Sequence, residues 1–431
     1  MPETPQKKHG DYSNRINKIK GVYPININCS KEQKVLFDLL LKICCRYVQV
    51  YGFFINNGRL ENEMENRAHN FFAGPAALPT EVLKKAQAEL LDFKGMGVSV
   101  MEMSHRDKAF IAVATEAEAD LKKLLGLGDD YAVLFLGGGA THQFTMLPMN
   151  ALHEGDEADY IVSGNWADRA YEEGQVIGKA NLVATSKTLA KPFCELPEVK
   201  QENMSPKAKY LHFCSNNTIY GTQFFEDSFP KPLPGVGLVC DMSSGFMSHN
   251  FDATKFDMIY AGAQKNIGPA GVTVVVLRKE WAAKTFTKKL PKSFDYNFQI
   301  KKESMFNTPP CFNIYITGLV FKWMLEMGGM EGMEKRNKIK AETIYGMIDK
   351  YPDFYRGYVT NKAHRSWMNV TFNLPTEELE EEFVKAAKAK KMLGLKGYRD
   401  LGGIRASIYN STSPESVSAL ADFMEEFKKS H

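Results

Sequence analysis

Two apolar runs, Met258–Gly262 and Val272–Leu277, flank a glycine-bordered turn that carries a lysine: Tyr260-Ala261-Gly262-Ala263-Gln264-Lys265-Asn266-Ile267-Gly268-Pro269-Ala270-Gly271. About ten residues separate Gly262 from Val272, whereas parallel neighbours need a crossover of roughly a dozen or more. The second strand therefore runs antiparallel to its neighbours. The lysine adds a chemical constraint, because charged side chains are almost never buried without a partner or a use. Either it points at water from a surface hairpin, or its amine is consumed, for example in a Schiff base with an aldehyde. The turn alone leaves both readings open.

The surrounding chain sets the fold class. Short apolar strands are expected at Tyr131–Leu136, Asp159–Ser163, Ala180–Thr185, Lys209–Cys214 and Val236–Cys240. Helical patterns are expected at Glu81–Phe93, Ala109–Leu125 and Thr141–Leu152. This alternation predicts an α/β fold with a mostly parallel seven-stranded sheet, the Val272–Leu277 strand being its antiparallel member. The tail reads as helix (Tyr315–Leu325 and Glu334–Tyr351), strand (Arg365–Phe372), helix (Glu377–Lys390), strand (Ile404–Tyr409) and helix (Pro414–Lys429). That pattern predicts a large domain over 70–324, whose start packs on the small domain, and a smaller α+β domain over 325–431.

Composition excludes several classes. The net charge is +3 and the basic residues are scattered, unlike the clustered stripe of a nucleic-acid binder. Seven cysteines show neither CxxC nor Cys/His ligand spacing, so no metal site is expected and a reduced, cytoplasmic setting is. Residues 1–69 form an N-terminal extension, the first 30 of them polar and reading as disordered. Within it, 33–55 resembles a membrane span, but Lys34, Asp38, Lys42 and Arg46 recur every fourth residue, which makes it amphipathic instead. The expectation is a dispensable extension, with no membrane partner.

Candidate chemistry collects where the strands end, the edge at which open α/β sheets bind ligands. Gly137-Gly138-Gly139 before a helix is a phosphate cradle or a tight turn. Asp241, ending its strand, is a partner for a protonated ring nitrogen or a local cap. Trp166 stacks on a flat ring or fills the core. His105 and Arg106, with Arg399 and Arg405 downstream, are the anion binders if they are not simply solvated.

Taken in order, the stretches FAGPAALP (72–79), VSVMEMSHR (98–106), LGGGATHQF (136–144), SGNWA (163–167), SNNTIYGT (215–222), CDMSS (240–244), YAGAQKNIGPAG (260–271), SMFNTPP (304–310), GLVFKWM (318–324) and GGIRASIYN (402–410) resemble the phosphoserine aminotransferases, fold-type-I, class-V enzymes that use pyridoxal phosphate. The resemblance runs from about Asn70 to the end. It implies that Lys265 forms the Schiff base with the cofactor and shuttles the proton, while Asp241 holds the pyridine nitrogen. Trp166 would stack on the ring and Thr218 would bond its hydroxyl oxygen. Ala140, Thr141 and Gln264 would hold the cofactor phosphate, with Asn307 and Thr308 from the second subunit of a homodimer. Arg405 would take the substrate carboxylate. His105 and Arg106 from across the dimer, with Arg399, would take the substrate's phosphate. The implied reaction is ping-pong exchange between phosphoserine and 2-oxoglutarate in serine biosynthesis, with phosphohydroxythreonine a further candidate substrate.

Two positions depart from the family pattern. Some members carry Arg where this chain has Thr141 and His where it has Tyr398. His142 or a lysine is the expected replacement for the lost charge. The alternatives are a class-V alanine or serine–glyoxylate aminotransferase, which would leave the His105/Arg106/Arg399 set without a ligand, and a non-catalytic interaction protein, which would need neither Lys265 nor Asp241.

Overall fold

The computed structural model describes residues 67–399 and 401–431, so the amphipathic segment expected at 33–55 lies outside the described residues. Ala68–His431 forms one compact unit. Its chain begins with β1 (His69–Asn70), α1 (Thr80–Ala88), α2 (Lys108–Leu125), β2 (Tyr131–Leu136), α3 (Gly139–Ala151), β3 (Glu157–Val162), α4 (Asn165–Ile177) and β4 (Lys179–Thr185). Then come β5 (Ala208–Cys214), β6 (Gly237–Asp241), β7 (Met258–Gly262), β8 (Thr273–Arg278), α5 (Lys279–Thr285), α6 (Tyr296–Lys301) and α7 (Cys311–Glu326). The remainder is α8 (Gly329–Lys350), β9 (Arg356–Gly357), β10 (Asn369–Asn373), α9 (Glu377–Ala389), β11 (Met392–Leu393), β12 (Ile404–Ser407) and α10 (Pro414–Ser430).

The main sheet has seven strands in the order β2-β8-β7-β6-β5-β3-β4. β8 runs antiparallel to both β2 and β7, and the other pairings are parallel. The short turn after β7 thus dictates the strand direction, as its length requires. Strands such as Tyr131–Leu136 and Met258–Gly262 are buried at every position, because helices cover both faces of the sheet. The covering helices follow local rules. Asp107 caps α2 by accepting the Ala109 N–H at 2.8 Å, and Gly126 ends it at φ +64°. Its apolar stripe (Phe110, Ala114, Ala117, Leu121) meets α7, where a side chain in place of Gly318 would stand 3.1 Å from Ala117 Cβ.

A second core gathers Phe71, Ile344, Tyr355, Phe372, Phe383, Ile404 and Phe423 around the three-stranded sheet β12-β10-β9. The first described strand joins this core, because β1 pairs in parallel with β11.

Several expected boundaries shift, the helices expected from Tyr315 and Glu334 beginning earlier at Cys311 and Gly329, and three further shifts have a visible cause. The helix expected to reach Phe93 stops at Ala88; Phe93 leaves the helical path and buries its ring edge-on against Tyr315 at 5.7 Å. The strand expected from Arg365 starts at Asn369, because Ser366 Oγ accepts the N–H groups of Met368 and Asn369 and holds a turn there. The strand expected to reach Tyr409 ends at Ser407, after which the chain turns, with the Thr412 N–H on Tyr409 O at 2.9 Å.

Candidate active site

β2, β3, β5, β6 and β7 all run the same way, so their carboxyl ends share one edge. Onto that edge fall Gly137–Gly139 after β2, Trp166 after β3, Thr218 after β5, Asp241 at the end of β6 and Lys265 after β7. The Lys265 turn is pinned by Ala263 N–H to Val272 O (3.0 Å) and by Gly268 N–H to Ala263 O (2.8 Å). The 73–76 segment closes over it. Ala76 donates to Gln264 O at 2.9 Å, and a Cβ on Gly74 would sit 3.2 Å from Lys265 Cγ.

Lys265 is half-buried and donates through Nζ to Thr218 Oγ1 at 2.7 Å, with Nζ 5.7 Å from the centre of the Trp166 ring. Burial lowers its pKa to about 8; the Asp241 and Cys214 charges resist this and Arg405 adds to it. An appreciable fraction of the amine is therefore neutral, and nucleophilic, near neutral pH. Asp241 is buried, and burial pushes its carboxyl upward against the Ser243 hydrogen bonds, one of them from the Ser243 N–H at 2.8 Å, and against the Lys265 charge. A cationic partner at Asp241 would restore the ionised form.

Arg405 extends from β12 toward the same residues, donating through Nη1 to Thr218 O at 3.3 Å. Its Nε has no partner, and among the described residues no carboxylate pairs with it. A largely desolvated guanidinium in that condition is a ready anion site. The Tyr398 ring lies 6.0 Å from it, so an aromatic face borders Arg405 where some family members place a histidine.

The glycine loop has the geometry of an anion cradle. Gly138 and Gly139 have φ of +90° and +68°, and α3 starts with no side-chain cap. Phe144 on α3 packs edge-on against Tyr260 of β7 at 6.3 Å, which seats the helix over the Lys265 edge. Ala140 is partly exposed and Thr141 exposed at its first turn, so their N–H groups remain accessible. The exposed His142 ring folds back over Gly138, where a Cβ would come within 1.9 Å of it. Gln264 lies against the end of β7, its Oε1 2.7 Å from where a Gly262 Cβ would stand.

These groups fit pyridoxal phosphate on the structure's own terms: an amine of lowered pKa, a buried carboxyl, an uncapped helix start, and a buried Trp166 Nε1 without a partner. Other expected site residues do not join them within the chain. His105 is buried with Nε2 unpartnered, and Arg106 beside it is exposed, in the turn before α2. Asn307 and Thr308 are exposed in the loop before α7, and Asn307 Nδ2 donates to Thr308 O at 3.3 Å. Arg399 is exposed beside Tyr398.

Residue-by-residue reading missed several contributors. Tyr409, with no exposure, donates its hydroxyl to Ala73 O at 2.8 Å and lies beside Thr218. Asn217 Nδ2 donates to Ser163 O at 2.8 Å and fills the space that a side chain on Gly164 would take. Both lie within motifs quoted above, but nothing in a motif says which members bond across the chain.

Fold and site together define a pyridoxal-phosphate-dependent aminotransferase. The model of the class-V aminotransferases matches residues 68–420. The phosphoserine aminotransferase of Desulfatibacillum aliphaticivorans is 51% identical over 85% of this chain and 99% of its own. The chloroplastic phosphoserine aminotransferase 1 of Arabidopsis thaliana is 46% identical over 85% of this chain and 84% of its own. The solved phosphoserine aminotransferase from Bacillus circulans subsp. alkalophilus is 48% identical, with a TM-score of 0.80 over 84% of this chain and 99% of that one. The chain belongs to the phosphoserine aminotransferase family of class V. An alanine–glyoxylate aminotransferase from Nostoc sp., at 16% identity and a TM-score of 0.65, shares the fold alone.

Proposed function

We propose that this enzyme moves the amino group between O-phospho-L-serine and 2-oxoglutarate, giving 3-phosphohydroxypyruvate and L-glutamate by a ping-pong route, in the cytoplasm. The observation that carries the reading is the pairing of Lys265, its pKa brought to about 8, with the uncompensated guanidinium of Arg405 across Thr218. The relatives' names support phosphoserine as the amino donor. Among the described residues no helix is long and apolar enough to cross a membrane.

The bound cofactor supplies an aldehyde for amine exchange and a ring that accepts the electron pair left when Cα loses its proton. The protein supplies the rest. Lys265 would hold the cofactor, and its neutral amine would then take the proton from the substrate Cα and shuttle it onward. Asp241 keeps the ring nitrogen protonated, and Trp166 and Thr218 hold the ring in place. Ala140, Thr141 and Gln264 receive the cofactor phosphate at the start of α3. Arg405 fixes the α-carboxylate and so aims the Cα–H bond.

Substrate choice falls to His105, Arg106 and Arg399, which bind the distal phosphate or the γ-carboxylate in turn. His105, Arg106, Asn307 and Thr308 serve from the second subunit of a homodimer, with the active sites shared. The exposed apolar residues Leu91 (84%), Met96, Val98, Met101 (57%) and Ile111 cluster in sequence around His105 and Arg106, and they support this segment as the dimer contact. The large and small domains at 70–324 and 325–431 belong to the same proposal, the second core being the nucleus of the small one.

Half-reaction spectra test the substrate. Phosphoserine should discharge the visible cofactor band at concentrations at least about tenfold below those alanine needs. Equal responses would favour the alanine or serine–glyoxylate reading.

A further inference from the structure

Lys340 lies on α8 with no solvent exposure. Its ammonium donates to three backbone carbonyls: Tyr409 O at 2.6 Å, Ile408 O at 3.0 Å and Thr412 O at 3.1 Å. Burial and the Arg336 charge push its pKa well down, and among the described residues no carboxylate pairs with it; what favours the charged form is the match of three carbonyls to three ammonium hydrogens. A buried cation is costly, and an apolar side chain of similar volume often stabilises a fold as well or better. The charge therefore calls for a role beyond packing.

The neighbouring bonds point to one. Asn337, three residues earlier on the same helix face, donates through Nδ2 to Asn410 Oδ1 and to Ser248 O, both at 2.8 Å. Asn410 in turn donates its N–H to Asn266 Oδ1 at 3.1 Å and its Nδ2 to Phe246 O at 3.1 Å. Asn266 directly follows Lys265. One face of α8 thus grips the segment Ile408–Thr412, and that segment grips the lysine turn. The same segment continues from β12, which carries Arg405. Pairing with Thr371 fixes Arg405 within its own small sheet, which Thr371 Oγ1 ties to Tyr220 O at 2.7 Å; the Ile408–Thr412 segment adds a second tie, directly to the lysine turn.

We propose that Lys340 is a positioning residue for the reaction: by clamping Ile408–Thr412 against the Lys265 turn, it sets the separation of Arg405 from Lys265 and hence the affinity for substrate carboxylates. The proposal rests on the reading of Arg405 as the carboxylate binder. Without the ammonium, three carbonyls lose their donor and the segment can shift. A misplacement of about 1 Å can cost catalysis about a hundredfold.

The test uses the holoenzyme. In Lys340→Met, KM for both phosphoserine and 2-oxoglutarate should rise about tenfold or more, and kcat per active site should fall with it because a displaced carboxylate misaims the Cα–H bond. Calorimetric affinity for succinate, a dicarboxylate with nothing to transaminate, should weaken by a similar factor. Asn410→Ala leaves the Lys340 bonds and the N–H bond to Asn266 in place but removes the side-chain ties of the segment to Asn337 on α8 and to Phe246 O. It should give the same pattern, and the double variant should be no worse than the worse single one. A role in folding alone would lower Tm and the active fraction, and so apparent kcat, with KM and succinate affinity unchanged. That result in Lys340→Met, or in Asn410→Ala should the first variant not fold, overturns the proposal. Arg405→Lys is the parallel arm. If it leaves KM and succinate affinity unchanged, the reading of Arg405 fails and this proposal with it. If it weakens both while the other two variants do not, the positioning role alone falls.

Discussion

The cofactor edge and the anion-binding residues are built in opposite ways. Lys265, Asp241, Thr218 and Trp166 come from four strand ends, yet a single chain brings them together, tied by bonds such as Lys265–Thr218. His105, Arg106, Asn307 and Thr308 lie in loops, and among the described residues no hydrogen bond joins them to that cluster. Chemistry common to all substrates is thus assigned to the rigid sheet edge. On the proposed reading, the groups that choose a substrate sit on loops that need a second surface to become a pocket.

The sharpest way to break this contrast is to remove the amine. Lys265→Ala should lose the visible cofactor band and reduce kcat by at least about 10⁴-fold, read by absorbance and steady-state turnover. A retained band with near-normal turnover would remove Lys265 from its assigned role. A gentler probe is pH. Burial lowers the Lys265 pKa to about 8, so the amine of the apoenzyme is neutral above that value and protonated below it. Uptake of pyridoxal phosphate, followed by stopped-flow absorbance, should level off above pH 8 and slow about tenfold for each unit below it. A midpoint near that of free lysine would mean the turn does not desolvate the amine. The smallest signal tests the other half of the comparison. Lys265→Ala and Arg106→Ala, each inactive on phosphoserine, should on mixing and subunit exchange recover about a quarter of wild-type activity, since half the dimers then hold one intact site. No recovery would place Arg106 in the same chain as the lysine it serves.

Much of the sheet was legible because its determinants are local. Each strand is a short apolar run, and the spacing from Gly262 to Val272 fixes the one reversed direction. Boundaries slipped where a distant partner decided them. Phe93 leaves its helix for Tyr315, more than two hundred residues away, and Ser366 delays β10 through a side-chain turn. In the site, Lys265 and Asp241 stood out because a charged residue at the end of an apolar strand is conspicuous in one dimension. Tyr409 and Asn410 did not, since a tyrosine and an asparagine after a strand look ordinary until their partners, Ala73 and Asn266, are known. Lys340 was passed over although it falls on the buried stripe of α8 with Met333, Asn337, Ile344 and Ile348, because a lysine reads as solvated until its carbonyl partners are known.

The close fit of the His142 ring over Gly138 also limits the routes by which the glycine loop can change. Any side chain at 138 meets the ring where it now lies, so the exposed His142 must swing away before residue 138 can vary. Even then the φ of +90° persists and penalises most replacements, so the position stays closed to them whichever way the histidine turns.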